Sequence, residues 1–188
     1  MAVISKSGAF SAGRALQLAS LAMLGTALLT LSAKVNVPFY PVPMTMQTLV
    51  VLLVGAFFGP RLGAATIALY LLEGAAGLPV FAGTPEKGLG LAYMTGPTGG
   101  FLAGFVAAAF FAGLCAARGW DRTLPRLAAA MTIGHVIIFA FGFAWLAGLI
   151  GAKAAWLGGV APFFWATVLK TGLAVAIVAA WRGRVASQ

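Results

Sequence analysis

Long apolar runs alternate along this chain with short interruptions rich in proline, glycine or basic residues. Reading the runs from the N-terminus predicts helices over 15–33, 44–58, 62–76, 99–117, 127–150 and 159–181. A helix of about 20 apolar residues crosses a ~30 Å hydrocarbon core. The second and third runs are short, since fifteen residues rise only about 22 Å. They must borrow length from their flanks or begin below the membrane surface. Only Gly59-Pro60-Arg61 separates them, which predicts a tight hairpin.

Composition supports this pattern. Hydrophobic residues make up 62% of the 188 and charged residues 8%, against roughly 25% charged in soluble domains. The expected fold class is an all-α integral membrane protein, a single compact bundle of six transmembrane helices over 1–188. Lys6 and Arg14, followed by an apolar run and Leu31-Ser32-Ala33, imitate a secretion signal. Leu31 is too large for the position three before a cleavage, and the run exceeds an ordinary signal core. It is read as the first membrane helix.

The net charge of +9 does not imply nucleic acid, because the basic residues sit at the ends of apolar runs rather than in a stripe interleaved with aromatics. Lys6, Arg14, Arg61, Arg118, Arg122, Arg126, Arg182 and Arg184 fall on one face of a six-span topology, and Lys34, Lys87 and Lys153 on the other. The excess of basic residues on one face predicts that both termini are cytoplasmic; the expected location is the bacterial cell (inner) membrane, as a multi-pass protein. The outer connections, 34–43, 77–97 and 151–158, are the long or glycine- and proline-rich ones. Such loops tend to carry function. The first of them contains Pro38, Pro41 and Pro43 and should form a stiff extended strap.

Lys170 lies about 17 Å from either end of the last predicted helix, too deep to reach water fully. A lysine there costs roughly 2.5–3.5 kcal/mol on insertion scales, so it should face protein or a wet cavity and find a partner. Ligand contact is the expected role; a purely structural lysine paired with backbone carbonyls or Glu73 is the alternative. Thr167, Lys170, Thr171 and Ala174 recur at helical spacing and predict one small-polar face, with Phe163 extending it outward. His135 stands alone in the fifth span and is expected to be hydrogen-bonded within the bundle. Glu73 is expected near the outer boundary, solvated.

Enzyme chemistry is not signalled. Neither HExxH nor GxSxG occurs, and Glu73, Glu86 and Asp121, the three acidic residues, fall on three separate segments. No metal, cofactor or catalytic residue is expected. A phosphate-binding GxxxxGK[ST] loop is absent, so any transport energy comes from another polypeptide or a gradient. The single cysteine, Cys115, lies in an apolar run and reads as packing. Ala15, Ala19 and Ala22 in the first span place small residues on one helical face, a surface another helix can approach. Gly100 and Gly104 repeat the device in the fourth span, where they are expected inside the bundle.

Four motifs occur in order: Pro43-Met44-Thr45-Met46-Gln47-Thr48-Leu49, Gly59-Pro60-Arg61-Leu62-Gly63, Gly77-Leu78-Pro79-Val80-Phe81-Ala82-Gly83 and Gly96-Pro97-Thr98-Gly99-Gly100-Phe101. Together they resemble the BioY family, the biotin-specific S components of energy-coupling-factor transporters. The resemblance covers about 15–181. It implies high-affinity capture of biotin at the outer face and association with a transmembrane coupling subunit and a cytoplasmic ATPase pair. An alanine surface on the first helix would meet the coupling subunit, which Ala15 and Ala19 match. The family's last helix presents Asp-x-x-Lys to its ligand; Lys170 matches the lysine, while Thr167 stands where the aspartate would be.

Biotin has an apolar thioether ring, a ureido group with donors and an acceptor, and a carboxylate on a flexible chain. A site for it needs apolar walls and a few fixed polar groups. Phe39, Tyr40, Phe81, Tyr93 and Trp165 are the candidate walls, Gly83 belongs to the ligand loop, and Thr45, Gln47, Thr167 and Lys170 supply donors and acceptors. Two alternatives stay open: an S component for another vitamin, and a structural membrane protein without a ligand.

Overall fold

Gly59 decides how the first half of the molecule is built. The computed structural model describes residues 12–38, 40–82 and 90–186. Its helices are α1 (Ala12–Lys34), α2 (Gln47–Ala75), α3 (Leu91–Met94), α4 (Gly99–Ala117), α5 (Leu124–Ile150), α6 (Ala152–Gly159) and α7 (Phe164–Ala186). Two short strands, β1 (Asn36–Val37) and β2 (Met44–Thr45), lie between α1 and α2.

Within α2, Gly59 adopts φ 78° and ψ 176°, a conformation that favours glycine, and Pro60 follows without a backbone N–H. Residues eight apart in a straight helix are about 12 Å apart. A β-carbon on Gly63 would nevertheless lie 3.0 Å from the Cα of Gly55. The two arms of α2 therefore fold back on each other as the expected hairpin. Counting both arms, six helical segments among the described residues cross the bundle; α1, α4, α5 and α6–α7 are long and apolar enough to span a membrane, whereas the two arms of α2, 47–58 and 60–75, are short, as expected.

The centre of the bundle is a seam between α2 and α4 made of backbone. A β-carbon on Gly55 would run into the backbone of Ala109, and one on Gly113 into Gly59 and Pro60. Small residues let these helices approach closely, which is how helices associate where lipid removes the hydrophobic drive. Gly100 and Gly104 face α5 through Trp145, Phe141 and Ile138, inside the bundle as expected. α1 packs more lightly, through Gly25, Thr26, Leu29, Ser32 and Ala33.

Several expected boundaries move. α2 begins at Gln47 rather than residue 44, because Met44 and Thr45 pair with Val37 and Asn36 in an antiparallel ladder. The ends of the strap are thus extended and closed into a hairpin, while residues 40–42 between them bend rather than continue as strand. α5 begins at Leu124 with a proline in its first turn, where the missing N–H costs nothing. The segment expected as an outer loop over 151–158 is instead α6. A 3-10 turn over Ala161–Phe163 separates it from α7, so the last long helix starts at Phe164 rather than residue 159. Lys170 consequently lies six residues, about 9 Å, from the start of its helix.

The opposite end of α7 is tied down. Arg182 donates to the Asp121 carboxylate in an ion pair, linking α7 to the α4–α5 connection, and the Trp181 ring sits edge-on against Phe57 at 5.8 Å. The α2 hairpin turn, the α4–α5 connection and the end of α7 therefore share one end of the bundle.

Candidate ligand site

Thr45 and Lys170 meet at the other end. The Lys170 side chain is 7% exposed, and its Nζ donates to the backbone oxygen of Thr45 at 2.6 Å. The partner of this intramembrane cation is therefore a strap carbonyl, not Glu73. An ammonium has three donors, of which the Thr45 bond uses one.

Beneath the strap, α4, α5 and α7 enclose a cavity of about 50 Å³. Val42, Pro43 and Thr45 form its strap side, Gln47 and Thr48 the start of α2, and Phe101, Leu102, Phe105, Phe139 and Phe163 its apolar walls. Ala82, Tyr93, Thr98 and Lys170 complete it. Burial raises the Tyr93 phenol above its usual value, partly offset by its hydrogen bond with Thr98, so the hydroxyl remains a donor. Lys170 and Thr45 also border a second chamber of about 290 Å³, between the strap hairpin and α7. Their hydrogen bond thus stands between the two spaces.

Gln47 is fixed before any ligand arrives. Its side-chain nitrogen donates to the Tyr70 hydroxyl at 2.7 Å, and that hydroxyl donates to the Val80 oxygen at 2.9 Å. The Thr45 hydroxyl donates to the Gln47 side-chain oxygen at 3.3 Å. Phe81 is buried behind Tyr93, stacked at 5.0 Å and 16°. It supports the wall rather than forming its surface.

Other expected site residues lie elsewhere. Tyr40 is 89% exposed and Trp165 74%, so both point away from the cavity. Thr167 lines a separate groove of about 820 Å³ between α5 and α7. The buried face of α7 is Lys170, Ala174 and Val178, continued by Phe163 in the preceding turn; Thr167 and Thr171 turn towards α5 instead of sharing one face with the lysine. There Thr171 Oγ1 lies 3.1 Å from His135 Nδ1, which is also 3.1 Å from the Met131 oxygen. His135 is thereby tied within the bundle, as expected. Phe39 and Gly83 lie outside the described residues.

Sequence reasoning missed the α4 and α5 walls, Phe101, Phe105 and Phe139. In a chain this apolar, a phenylalanine facing a cavity and one facing lipid look alike. Phe101 carried a signal, because it closes the Gly96–Phe101 motif.

The BioY family model matches residues 6–187. The chain belongs to the BioY family. Its relatives include a probable biotin transporter BioY of Pyrococcus horikoshii, 39% identical over 87% of this chain and 95% of that protein. A biotin transporter BioY of Rhizobium etli is 38% identical over 80% of each chain. A third, from Thermotoga maritima, is 37% identical over 81% of this chain and 88% of that one. A crystal structure at 2.1 Å of the S-component for biotin from an ECF-type ABC transporter shares the fold. It has a TM-score of 0.76 at 22% identity and covers 93% of this chain and 95% of that one. As a BioY family member, the chain is a multi-pass membrane protein.

Proposed function

We propose that this protein captures biotin at the outer face of the membrane, as the substrate-binding S component of an energy-coupling-factor transporter. The observation that carries this reading is Lys170, a buried cation hydrogen-bonded to the strap at the edge of an aromatic cavity. An apolar box with a few converging polar groups suits a thioether ring flanked by hydrogen-bonding ends.

A vitamin-sized ligand needs roughly 300–1,000 Å³, far more than the enclosed 50 Å³. Loading therefore requires the strap and the outer half of α7 to part. Breaking the Lys170–Thr45 bond joins the inner cavity to the 290 Å³ chamber beside it and frees the ammonium for the ligand. Gln47 and Tyr93 keep their positions because their bonds run to α2 and to Thr98. Closing the strap restores a water-poor site in which each hydrogen bond is stronger.

Both termini lie in the cytoplasm in this reading, at the end carrying Arg61, Arg118, Arg122, Arg126, Arg182 and Arg184. Ala15 and Ala19 are exposed on α1 and Ala22 is half-buried, leaving the face free for a coupling subunit that works with a cytoplasmic ATPase pair. Ala15→Leu with Ala19→Leu is expected to leave biotin binding unchanged while reducing uptake by the assembled transporter about tenfold or more. Equal loss of both activities would show that this face serves the fold.

Titration of the detergent-purified protein with biotin, thiamin and riboflavin tests the ligand assignment. Saturable binding of biotin alone at micromolar ligand is expected. Absence of biotin binding removes this reading, and preference for thiamin or riboflavin reassigns the site.

A further inference from the structure

Three successive carbonyls in the loop after α2 are all held by side chains. The Lys34 ammonium donates to the Pro79 oxygen at 2.8 Å and to the Phe81 oxygen at 2.9 Å. Between them, the Val80 oxygen accepts from the Tyr70 hydroxyl at 2.9 Å. Tyr70 is fully buried and is itself held by Gln47. A loop ordinarily satisfies its carbonyls with water or local turns. This one is gripped from two helices, by the last residue of α1 and by the second arm of α2.

The grip acts on a side chain with little freedom. The Phe81 ring lies over Gly74, where a β-carbon would occupy the position of the ring. It meets Tyr70 edge-on at 5.5 Å and stacks on Tyr93 at 5.0 Å. Tyr93 in turn lines the inner cavity. A continuous path runs from the Lys34 ammonium through the Phe81 backbone and ring to the wall of the ligand cavity.

We infer that Lys34 is a positioning residue for the ligand wall: its ammonium clamps the Pro79 and Phe81 carbonyls, and so sets the Phe81–Tyr93 stack against the cavity. The inference rests on the biotin reading above for its ligand, but the clamp itself is a property of the fold. A second consequence concerns α1, whose exposed alanine face lies on the same helix as the clamp. Movement of α1 along its axis is transmitted to the ligand wall through two charge-assisted hydrogen bonds, which are stronger than neutral ones.

Lys34→Met keeps the length of the side chain and removes the donors; Lys34→Arg keeps donors and charge. Biotin affinity of the Met variant is expected to fall about tenfold or more, with Arg recovering most of the loss and thermal midpoints staying close to wild type. Hydrogen exchange supplies a readout that needs no biotin. The amides of Leu78 and Val80, bonded to Glu73 and Leu78, should exchange about tenfold faster in the Met variant, and at the wild-type rate with Arg, while α4 is unchanged. Wild-type exchange in the Met variant overturns the clamp. Wild-type biotin affinity in that variant overturns its role at the site. If wild-type protein fails to bind biotin, the functional reading falls, and the exchange rates alone still decide whether Lys34 holds the loop.

Discussion

Lys170→Met is expected to weaken biotin binding by about thirtyfold or more, while leaving the folded protein as stable as wild type or more so. Removing one partner of a desolvated charge-assisted contact costs about 2–5 kcal/mol of binding. Stability responds in the opposite sense. The buried ammonium carries a desolvation cost that its hydrogen bond to Thr45 offsets only in part, and methionine fills similar space without it. A calorimetric titration beside a thermal melt separates the two effects. Loss of binding together with a collapsed melting transition would make Lys170 a structural residue; unchanged affinity would remove it from the site.

Gly113→Leu is expected to give no folded protein. Any side chain at 113 must displace the backbone of Gly59 and Pro60 at the hairpin turn of α2, and backbone cannot swing aside as a rotamer does. The cost should exceed the ~1–3 kcal/mol of ordinary overpacking. Gly148→Leu is the matched control, because nothing lies within 4 Å of a β-carbon there, and it should behave as wild type. Size-exclusion profiles in mild detergent distinguish the pair. A monodisperse Gly113→Leu protein with the wild-type melting transition would show that the α2–α4 seam is looser than its geometry implies.

Much of the fold was legible because a bilayer simplifies the code. Apolar length, glycine and proline punctuation and the distribution of arginines located α4 at its observed bounds and placed the hairpin at Gly59. The errors fall where apolar character stops discriminating. The segment 151–158, with a glycine at each end and Lys153 between them, reads as a loop, yet it forms α6, since Ala152, Ala154 and Ala155 favour helix and Gly151 at φ 83° lets α5 end before it. Residue 159 was read as the start of the last helix because the run is continuous in hydrophobicity; the break at Pro162 sets the start at Phe164.

The candidate cavity was legible at its polar lining and opaque at its apolar walls. Lys170 stands out because a lysine inside an apolar helix demands a partner, and Gln47 because it interrupts such a run. Tyr40 and Trp165 are aromatic and so candidate walls, but aromatics also favour membrane interfaces, and the structure leaves both exposed. Thr167 shows the limit of helical spacing. Residues three apart diverge by about 60° around the axis, enough to put Lys170 over the cavity and Thr167 in the groove against α5.

The attachment of α7 is lopsided. One end is fastened by Arg182 to Asp121 and by Trp181 to Phe57, while the other runs beside open space, with the α5 groove on one flank and the strap chamber on the other. A rod pivoted near one end is a lever. Phe164 lies about 27 Å by helical rise from Arg182, so a tilt of about 10° carries it roughly 5 Å sideways. At Lys170, about two thirds of the way out, the same tilt gives about 3 Å, enough to part the ammonium from Thr45 while the glycine seam of α2 and α4 stays still.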